Sequence, residues 1–160
     1  MGALAFPAQA GEALSTSKSL RIGVTLHPYY SWVSNIAVGT DTTVVAVLSE
    51  SSDPHAYQPL PEDIEQLATL DALVINGLGH DEFIPPMLKA AGDKSPEIIR
   101  PNSGVPLLAS RLVGSDTPTS NSHTFLSITS AVQQVANIAC KAAPCPVSSG
   151  IDAFLRSLGG

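Results

Sequence analysis

Residues 20–48 read LRIGVTLHPYYSWVSNIAVGTDTTVVAVL. The runs rich in Val, Ile and Leu at 20–26 and 42–48 are typical of buried strands. The segment between them predicts a helix over 30–37 that ends near Gly39. Strand, helix and strand in this order are typical of a βαβ unit, in which the two strands are parallel. This stretch therefore predicts an α/β fold.

The alternation of strand and helix continues along the chain. A third strand is predicted at 71–76, and helices are predicted from Pro61 onward and over 81–91. Pro85 and Pro86 lie inside the second of these helices. Because proline removes a backbone donor and clashes with the preceding turn, that helix should begin late or kink.

The fourth strand has two candidate positions. Residues 97–100 and 105–108 are both apolar enough to form it. A loop is predicted over 114–122, followed by a long helix over 125–142 with apolar residues three and four positions apart. We therefore expect an α/β fold with a four-stranded, mainly parallel sheet flanked by helices.

The composition is that of one acidic globular domain. The chain has 160 residues and a net charge of −6, and only 14% of its residues are charged. The negative charge argues against nucleic-acid binding, which needs clustered Lys and Arg, and it suits a cation as ligand. No apolar run approaches the roughly 18 residues that are needed to span a bilayer.

Residues 1–19 are predicted to be the remnant of a signal peptide or a flexible leader. Residues 3–10 resemble the end of a secretory signal and close in an A-x-A pattern before Gly11. The positively charged start of such signals is missing, so a flexible Ala-rich tail is the alternative. The pattern favours export from the cytoplasm.

The two cysteines, Cys140 and Cys145, leave two interpretations open. In an oxidising compartment they could form a small disulfide loop, and otherwise they would remain free thiols. A zinc site built from cysteines would need a second pair at C-x-x-C spacing, which the sequence lacks.

Four histidines follow the apolar runs of the chain. His27 and His55 come after the first two predicted strands, and His80 follows the third. His123 comes after the apolar stretch 105–108 and a polar loop. In an open parallel sheet, ligands bind beyond the carboxyl ends of the strands, and imidazole is the commonest protein ligand of transition metals. The sequence therefore predicts a metal site assembled from strand-end loops.

The most specific single stretch is DPHAYQPLPEDI, residues 53–64. Pro54 restricts the backbone next to His55 and helps to hold its imidazole in one place. Asp53 or Tyr57 could hydrogen-bond the second ring nitrogen, which metal-bound histidines usually require. The alternative is a histidine that is merely exposed at the surface.

This stretch resembles the D-P-H-x-Y-x-P-x-P-x-D-I motif of zinc and manganese solute-binding proteins, the extracytoplasmic receptors of metal ABC importers. Three further stretches are similar to motifs of this family in the same order. Residues 22–37 resemble its first strand and helix, residues 71–79 its A-D-L-V-V-x-N-G-L-G strand, and residues 121–127 its second D-P-H-like motif. The resemblance covers about residues 20–140.

The resemblance implies that His55 and His123 coordinate the metal ion. The surroundings of His123 depart from the family pattern, since Ser122 replaces a proline and Phe125 replaces a tryptophan. His80 is a further candidate ligand, with Asp81 at a position where the family has a carboxylate that starts a helix. The alternative, which we favour from sequence, is that Asp81 caps a helix and His80 is exposed at the rim.

His27 is expected to line the cleft or to support a ligand through a hydrogen bond. In domain terms, the resemblance implies an N-terminal α/β lobe over 20–124, followed by a truncated connecting helix and a divergent tail over 125–160. Family members are about twice as long, and a second lobe supplies their remaining ligands. Only one wall of the metal crevice is therefore expected in this chain.

The resemblance implies a periplasmic or extracytoplasmic protein that binds Zn²⁺, or alternatively Mn²⁺, and delivers it to an ABC importer permease. Nitrogen ligands favour zinc, because manganese uses more oxygen ligands. One alternative is a remnant lobe that forms a homodimer through the apolar face of the helix over 125–142. Another is a metal-dependent hydrolase with Asp81 or Glu82 as general base, although no H-E-x-x-H motif is present. Binding without catalysis is the preferred interpretation.

Overall fold

Four parallel strands form the main sheet of the computed structural model, which describes residues 19–48, 56–110 and 119–142. The strands are β1 (Arg21–Val24), β2 (Thr43–Ala46), β3 (Ala72–Val74) and β4 (Glu97–Ile99). They lie in the order β2-β1-β3-β4. In the register of the central strand, Ile22 pairs with Val44 on one side and with Ala72 on the other. The predicted four-stranded parallel sheet is confirmed.

Four α-helices in the described part of the chain flank the sheet, and their starts follow from local chemistry. The helices are α1 (His27–Ile36), α2 (Pro61–Leu67), α3 (Ile84–Ala91) and α4 (Ile128–Ala142). Helix α2 begins at Pro61 as predicted, and α3 begins late, with Pro85 in its first turn. Proline suits this position because the first backbone N–H groups of a helix have no intrahelical acceptor. Within the described ranges, no helix is long and apolar enough to cross a bilayer.

The long helix predicted over 125–142 is split in two. Thr124–Leu126 forms one turn of 3-10 helix, and Ser127 after it is extended, with φ −86° and ψ 125°. The Ser127 hydroxyl oxygen accepts a hydrogen bond from the backbone N–H of Ser130 at 3.5 Å. Serine is a preferred N-cap because its side chain can bind an otherwise unpaired N–H group of the first turn. The α-helix therefore starts only at Ile128.

The fourth strand lies at Glu97–Ile99, where it pairs with β3. The alternative at 105–108 forms no strand, because Pro106 cannot donate a hydrogen bond to a ladder. Beyond it, β5 (Ala109–Ser110) and β6 (Thr119–Ser120) form a short antiparallel pair. The loop predicted over 114–122 therefore contains a strand at its end.

The core consists of two clusters on opposite faces of the sheet. Helices α1 and α4 pack on one face, where Tyr29, Val33 and Ile138 meet Val24. Helices α2 and α3 pack on the other face, and the buried members of that cluster are Val47, Leu67, Leu70, Leu73, Ile75, Phe83, Ile84 and Met87. The fold thus has three layers, with helices on both faces as expected for a parallel sheet.

Gly23 in the central strand allows this second cluster to approach the sheet closely. A Cβ atom at this position would lie 2.4 Å from Leu70 Cδ1 and 2.9 Å from Leu73 Cδ1. We expect Gly23→Ala to destabilise the fold by about 1–3 kcal/mol, the usual cost of overpacking a core. Urea denaturation monitored by circular dichroism checks this, and an unchanged midpoint would contradict it.

At the C-terminal end of α4, Cys140 is disulfide-bonded. This supports the disulfide interpretation of the cysteine pair over free thiols. Cys145, the other cysteine of the sequence, lies outside the described residues, as do residues 1–18 of the leader predicted over 1–19.

Candidate metal centre

The topology of the sheet creates a crevice beyond β1 and β3. The connection from β1 runs through α1 to β2 on one side, whereas β3 and β4 extend the sheet on the other side. At such a reversal of strand order, the loops after the two central strands separate, and ligands bind between them. His27 begins α1 directly after β1, and His80 lies in the loop between β3 and α3.

Three of the four predicted site histidines line one cavity at this position. His27, His80 and His123 border a space of about 680 Å³ that extends from this crevice along β1 and β2, and His80 reaches it from the loop after β3. Leu48, the last described residue before the segment that contains His55, lines the same space. His55 itself lies outside the described residues, as does Asp53.

His80 and His123 are in direct contact. Their ring centroids lie 4.5 Å apart with an interplanar angle of 81°, and the Phe125 ring lies 5.9 Å from His80 and 5.8 Å from His123. Only 5% of the surface of His80 is exposed, whereas His123 is exposed. The expectation that His80 is exposed at the rim is therefore wrong, because His123 and Phe125 pack against its ring.

Asp81 does not cap a helix, which corrects the second half of that expectation. Its carboxylate is buried and accepts hydrogen bonds from the backbone N–H groups of Asn76 at 2.5 Å and Gly77 at 2.9 Å. The Thr25 hydroxyl donates a third hydrogen bond at 3.0 Å. Helix α3 begins three residues later, after Phe83. Asp81 therefore joins the ends of β1 and β3 on either side of the crevice.

Tyr57 is fixed to α2 by a short hydrogen bond. Its hydroxyl donates to Asp63 Oδ2 at 2.6 Å, and the same oxygen accepts from the backbone N–H of Leu60 at 2.7 Å. Desolvation foremost, and then the hydrogen bond to the Asp63 carboxylate, raise the pKa of Tyr57 to about 12, so the phenol keeps its hydrogen. The predicted contact of Tyr57 with His55 stays a prediction.

Asn121 supplies the hydrogen bond that orients the His123 ring. Its side-chain oxygen lies 2.9 Å from the backbone nitrogen of His123 and 3.2 Å from Nδ1. Since an amide oxygen only accepts, Nδ1 carries the hydrogen and Nε2 keeps the lone pair that can bind a metal ion. Sequence reasoning missed this role of Asn121, although the Asn-x-His spacing was its signal.

Asn76 is a second residue with a role at the site that was not predicted from the sequence. It follows β3, only 2% of its surface is exposed, and its side-chain amide donates to the backbone oxygen of Ser122 at 3.1 Å. The signal in the sequence was an asparagine directly after a buried strand. Burying a side-chain amide there is costly unless the amide forms hydrogen bonds.

The described residues by themselves do not form a closed metal site. No three His, Cys, Asp or Glu side chains among them converge closely enough to hold one ion. The arrangement can nevertheless contribute imidazole nitrogens from His80 and His123 to the same crevice.

Comparison with known proteins places these features in a family. The family model described as "Zinc-uptake complex component A periplasmic" matches residues 22–143. The high-affinity zinc uptake system protein ZnuA of Bacillus subtilis is 26% identical over 98 residues, which cover 61% of this chain and 30% of that protein.

The fold is shared with solved structures of metal-bound proteins. FpvC from Pseudomonas aeruginosa in complex with Mn²⁺ is 45% identical, with a TM-score of 0.72, over 78% of this chain and 46% of FpvC. FpvC in complex with Ni²⁺ matches with a TM-score of 0.68. The chain thus spans less than half of the length of these proteins. Because the family model covers most of the chain, the protein belongs to the family of periplasmic zinc-uptake components, the zinc and manganese solute-binding proteins.

Proposed function

We propose that this protein binds a divalent transition metal ion outside the cytoplasm, most favourably Zn²⁺, and delivers it to the permease of an ABC importer. The observation that carries the proposal is the contact between His80 and His123 in a crevice that His27 also lines. The Nδ1 atom of His123 is engaged by Asn121, as metal-binding histidines require. Family membership supports the proposed delivery to an importer.

The proposed ligands are His55 and His123, with His80 as a third imidazole. Zinc–nitrogen bonds are about 2.0–2.1 Å long, so two imidazoles that bind one ion must lie close together. The rings of His80 and His123 are in contact and can therefore direct a nitrogen each to one ion. We assign His27 and Tyr57 to the lining and support of the site. A set of nitrogen ligands favours Zn²⁺ over Mn²⁺, which takes more oxygen ligands.

The proposed domain organisation follows the same family. Residues 20–124 would form one lobe of the receptor, and residues 125–160 would contain the start of the connecting helix and a divergent tail. The share of the relatives that the chain spans is consistent with one lobe. A second lobe, or another molecule, would then complete the coordination of the metal ion.

Binding without catalysis suits the site better than metal-dependent hydrolysis. A general base needs a carboxylate oxygen that is free to take a proton from water. The Asp81 carboxylate is buried and already accepts three hydrogen bonds. Glu82 borders a different cavity, together with Tyr57 and Pro86.

Isothermal titration calorimetry with Zn²⁺ and Mn²⁺ tests the proposal. We expect saturable binding of Zn²⁺ that EDTA reverses, with weaker binding of Mn²⁺. Absence of saturable binding by both ions would overturn the proposal, and tighter binding of Mn²⁺ would overturn the assigned selectivity. The metal content of the protein, exported to the periplasm of a zinc-replete host and purified without chelators, provides an independent readout.

Self-association with a second copy is the other candidate activity, and a surface patch favours it. Leu126 and Ile128 are 75% and 83% exposed and border one apolar groove with Trp32 and Val132. A two-fold dimer would cover the same patch on both copies. We expect Ile128→Ser to shift the protein towards monomer in size-exclusion chromatography with light scattering. A parent protein that is monomeric at high concentration would exclude this activity.

A further inference from the structure

We propose that Asn76 is a positioning residue that holds His123 at the metal crevice. Its side chain fixes the residue before His123, and its backbone oxygen holds Asn102, which fixes the residue after His123. The inference rests on the proposed function, because it assigns His123 to the metal. The contact depends on the tertiary fold, because Asn76 follows β3 and lies 46 positions away in sequence from Ser122, whose backbone oxygen it binds.

The first connection is direct. The side-chain nitrogen Nδ2 of Asn76 donates to the backbone oxygen of Ser122, the residue before His123, at 3.1 Å. The second connection runs through Asn102, whose Nδ2 donates to the backbone oxygen of Asn76 at 2.9 Å. The Oδ1 atom of Asn102 accepts from the hydroxyl of Thr124, the residue after His123, at 2.7 Å. Both neighbours of His123 are therefore fastened to the loop after β3.

Asn76 is itself held from several sides. Its backbone N–H binds the Asp81 carboxylate, and its Oδ1 accepts from the backbone N–H of Leu78 at 3.1 Å. Its Nδ2 also donates to the Tyr29 hydroxyl at 3.1 Å, and that hydroxyl donates to Gln134 Oε1 at 3.1 Å. Burial foremost raises the pKa of Tyr29 to about 12, so this hydroxyl keeps its hydrogen. The network thereby ties the His123 segment to β3, α1 and α4.

The position of His123 depends on such a network because packing alone does not fix it. The ring is exposed, and its own hydrogen bond goes to Asn121, which belongs to the same loop and cannot anchor that loop to the sheet. Asn76 binds the loop from outside, with a buried amide that its hydrogen bonds to Tyr29 and Leu78 hold in place. Supporting hydrogen bonds around metal ligands typically contribute 10–100-fold in affinity.

The test compares zinc affinity in Asn76→Ala with that in Asn35→Ala. The Asn35 side chain also donates from Nδ2 to a backbone oxygen, that of Ser31 at 2.7 Å, but it lies on α1 and its amide binds no residue of the network around His123. We expect Asn76→Ala to weaken Zn²⁺ binding about 10–100-fold by calorimetry. Asn35→Ala should bind zinc like the parent.

A second, conservative variant tests the inference even if Asn76→Ala does not fold. Thr124→Val preserves the shape of the side chain and removes its hydrogen bond to Asn102. We expect a smaller but measurable loss of zinc affinity, together with a lower ¹⁵N order parameter at His123. If Asn76→Ala does not fold, unchanged affinity of Thr124→Val overturns the inference.

The outcomes separate this inference from the proposed function. If the parent binds zinc and Asn76→Ala binds it no more weakly than Asn35→Ala does, Asn76 is not a positioning residue. If the parent binds no zinc, the proposed function fails. The order parameter at His123 then decides the positional claim, and a value unchanged by Asn76→Ala overturns it.

Discussion

His123→Ala is expected to lower the affinity for Zn²⁺ by at least about 100-fold. Loss of a residue that merely supports a ligand costs about 10–100-fold, so loss of the ligand itself should cost at least the upper end of that range. In the neutral imidazole that would be removed, the hydrogen bond to Asn121 places the hydrogen on Nδ1 and leaves Nε2 with the lone pair that the proposal assigns to the metal ion. Isothermal titration calorimetry at fixed pH measures the change.

His27→Ala is the matched control for this prediction. His27 is exposed and lines the same cavity, but it lies at the start of α1 and is assigned to the lining of the site. We expect a much smaller loss of affinity from this variant. His27 is exposed, so His27→Ala should change the free energy of unfolding by no more than about 0.5 kcal/mol, whereas His123→Ala also uncovers the buried His80 ring. Equal zinc affinity of His123→Ala and the parent would exclude His123 as a ligand.

Asp81→Ala is expected to destabilise the fold by about 4 kcal/mol. The substitution leaves three donors, two of them buried, without their acceptor, and hydrogen bonds to a charged group contribute about 1.5–3 kcal/mol each. These donors are the backbone N–H groups of Asn76 and Gly77 and the hydroxyl of Thr25. Urea denaturation of the metal-free protein measures the loss without a contribution from ligand binding.

The neighbouring residue provides the control for Asp81. Glu82 carries the same charge and is exposed, so Glu82→Ala should remain within about 0.5 kcal/mol of the parent. Asp81→Asn should fall between the two, because its amide has one acceptor oxygen in place of two. If Asp81→Ala is no less stable than Glu82→Ala, the carboxylate does not hold the two strand ends together.

Much of the fold could be predicted because its signals are local. Proline at position 61 marks the start of α2, and the apolar runs at 20–26 and 71–76 mark the two central strands. The position of β4 could not be predicted from local sequence, because residues 97–100 and 105–108 are both apolar. Pairing with β3 decided it, and Pro106 cannot take part in such pairing.

The candidate site was predicted in part. The sequence identified the histidines and located them after strands, and the structure brings His27, His80 and His123 to one cavity. The burial of His80 could not be predicted, because it depends on Phe125, which lies 45 positions further along the chain and 5.9 Å away in space.

The sequence by itself determined the α/β class, the positions of most helices and strands and the resemblance to metal receptors. Each of these depends on neighbouring residues, through the hydrophobic period, the placement of prolines and the spacing of motifs. Only the tertiary structure decided that Asp81 joins two strand ends and that Asn76 binds the segment around His123. A buried polar group takes whichever partner the packing brings within reach. The four histidines follow apolar runs in the sequence, but the order β2-β1-β3-β4 opens the crevice that three of them line.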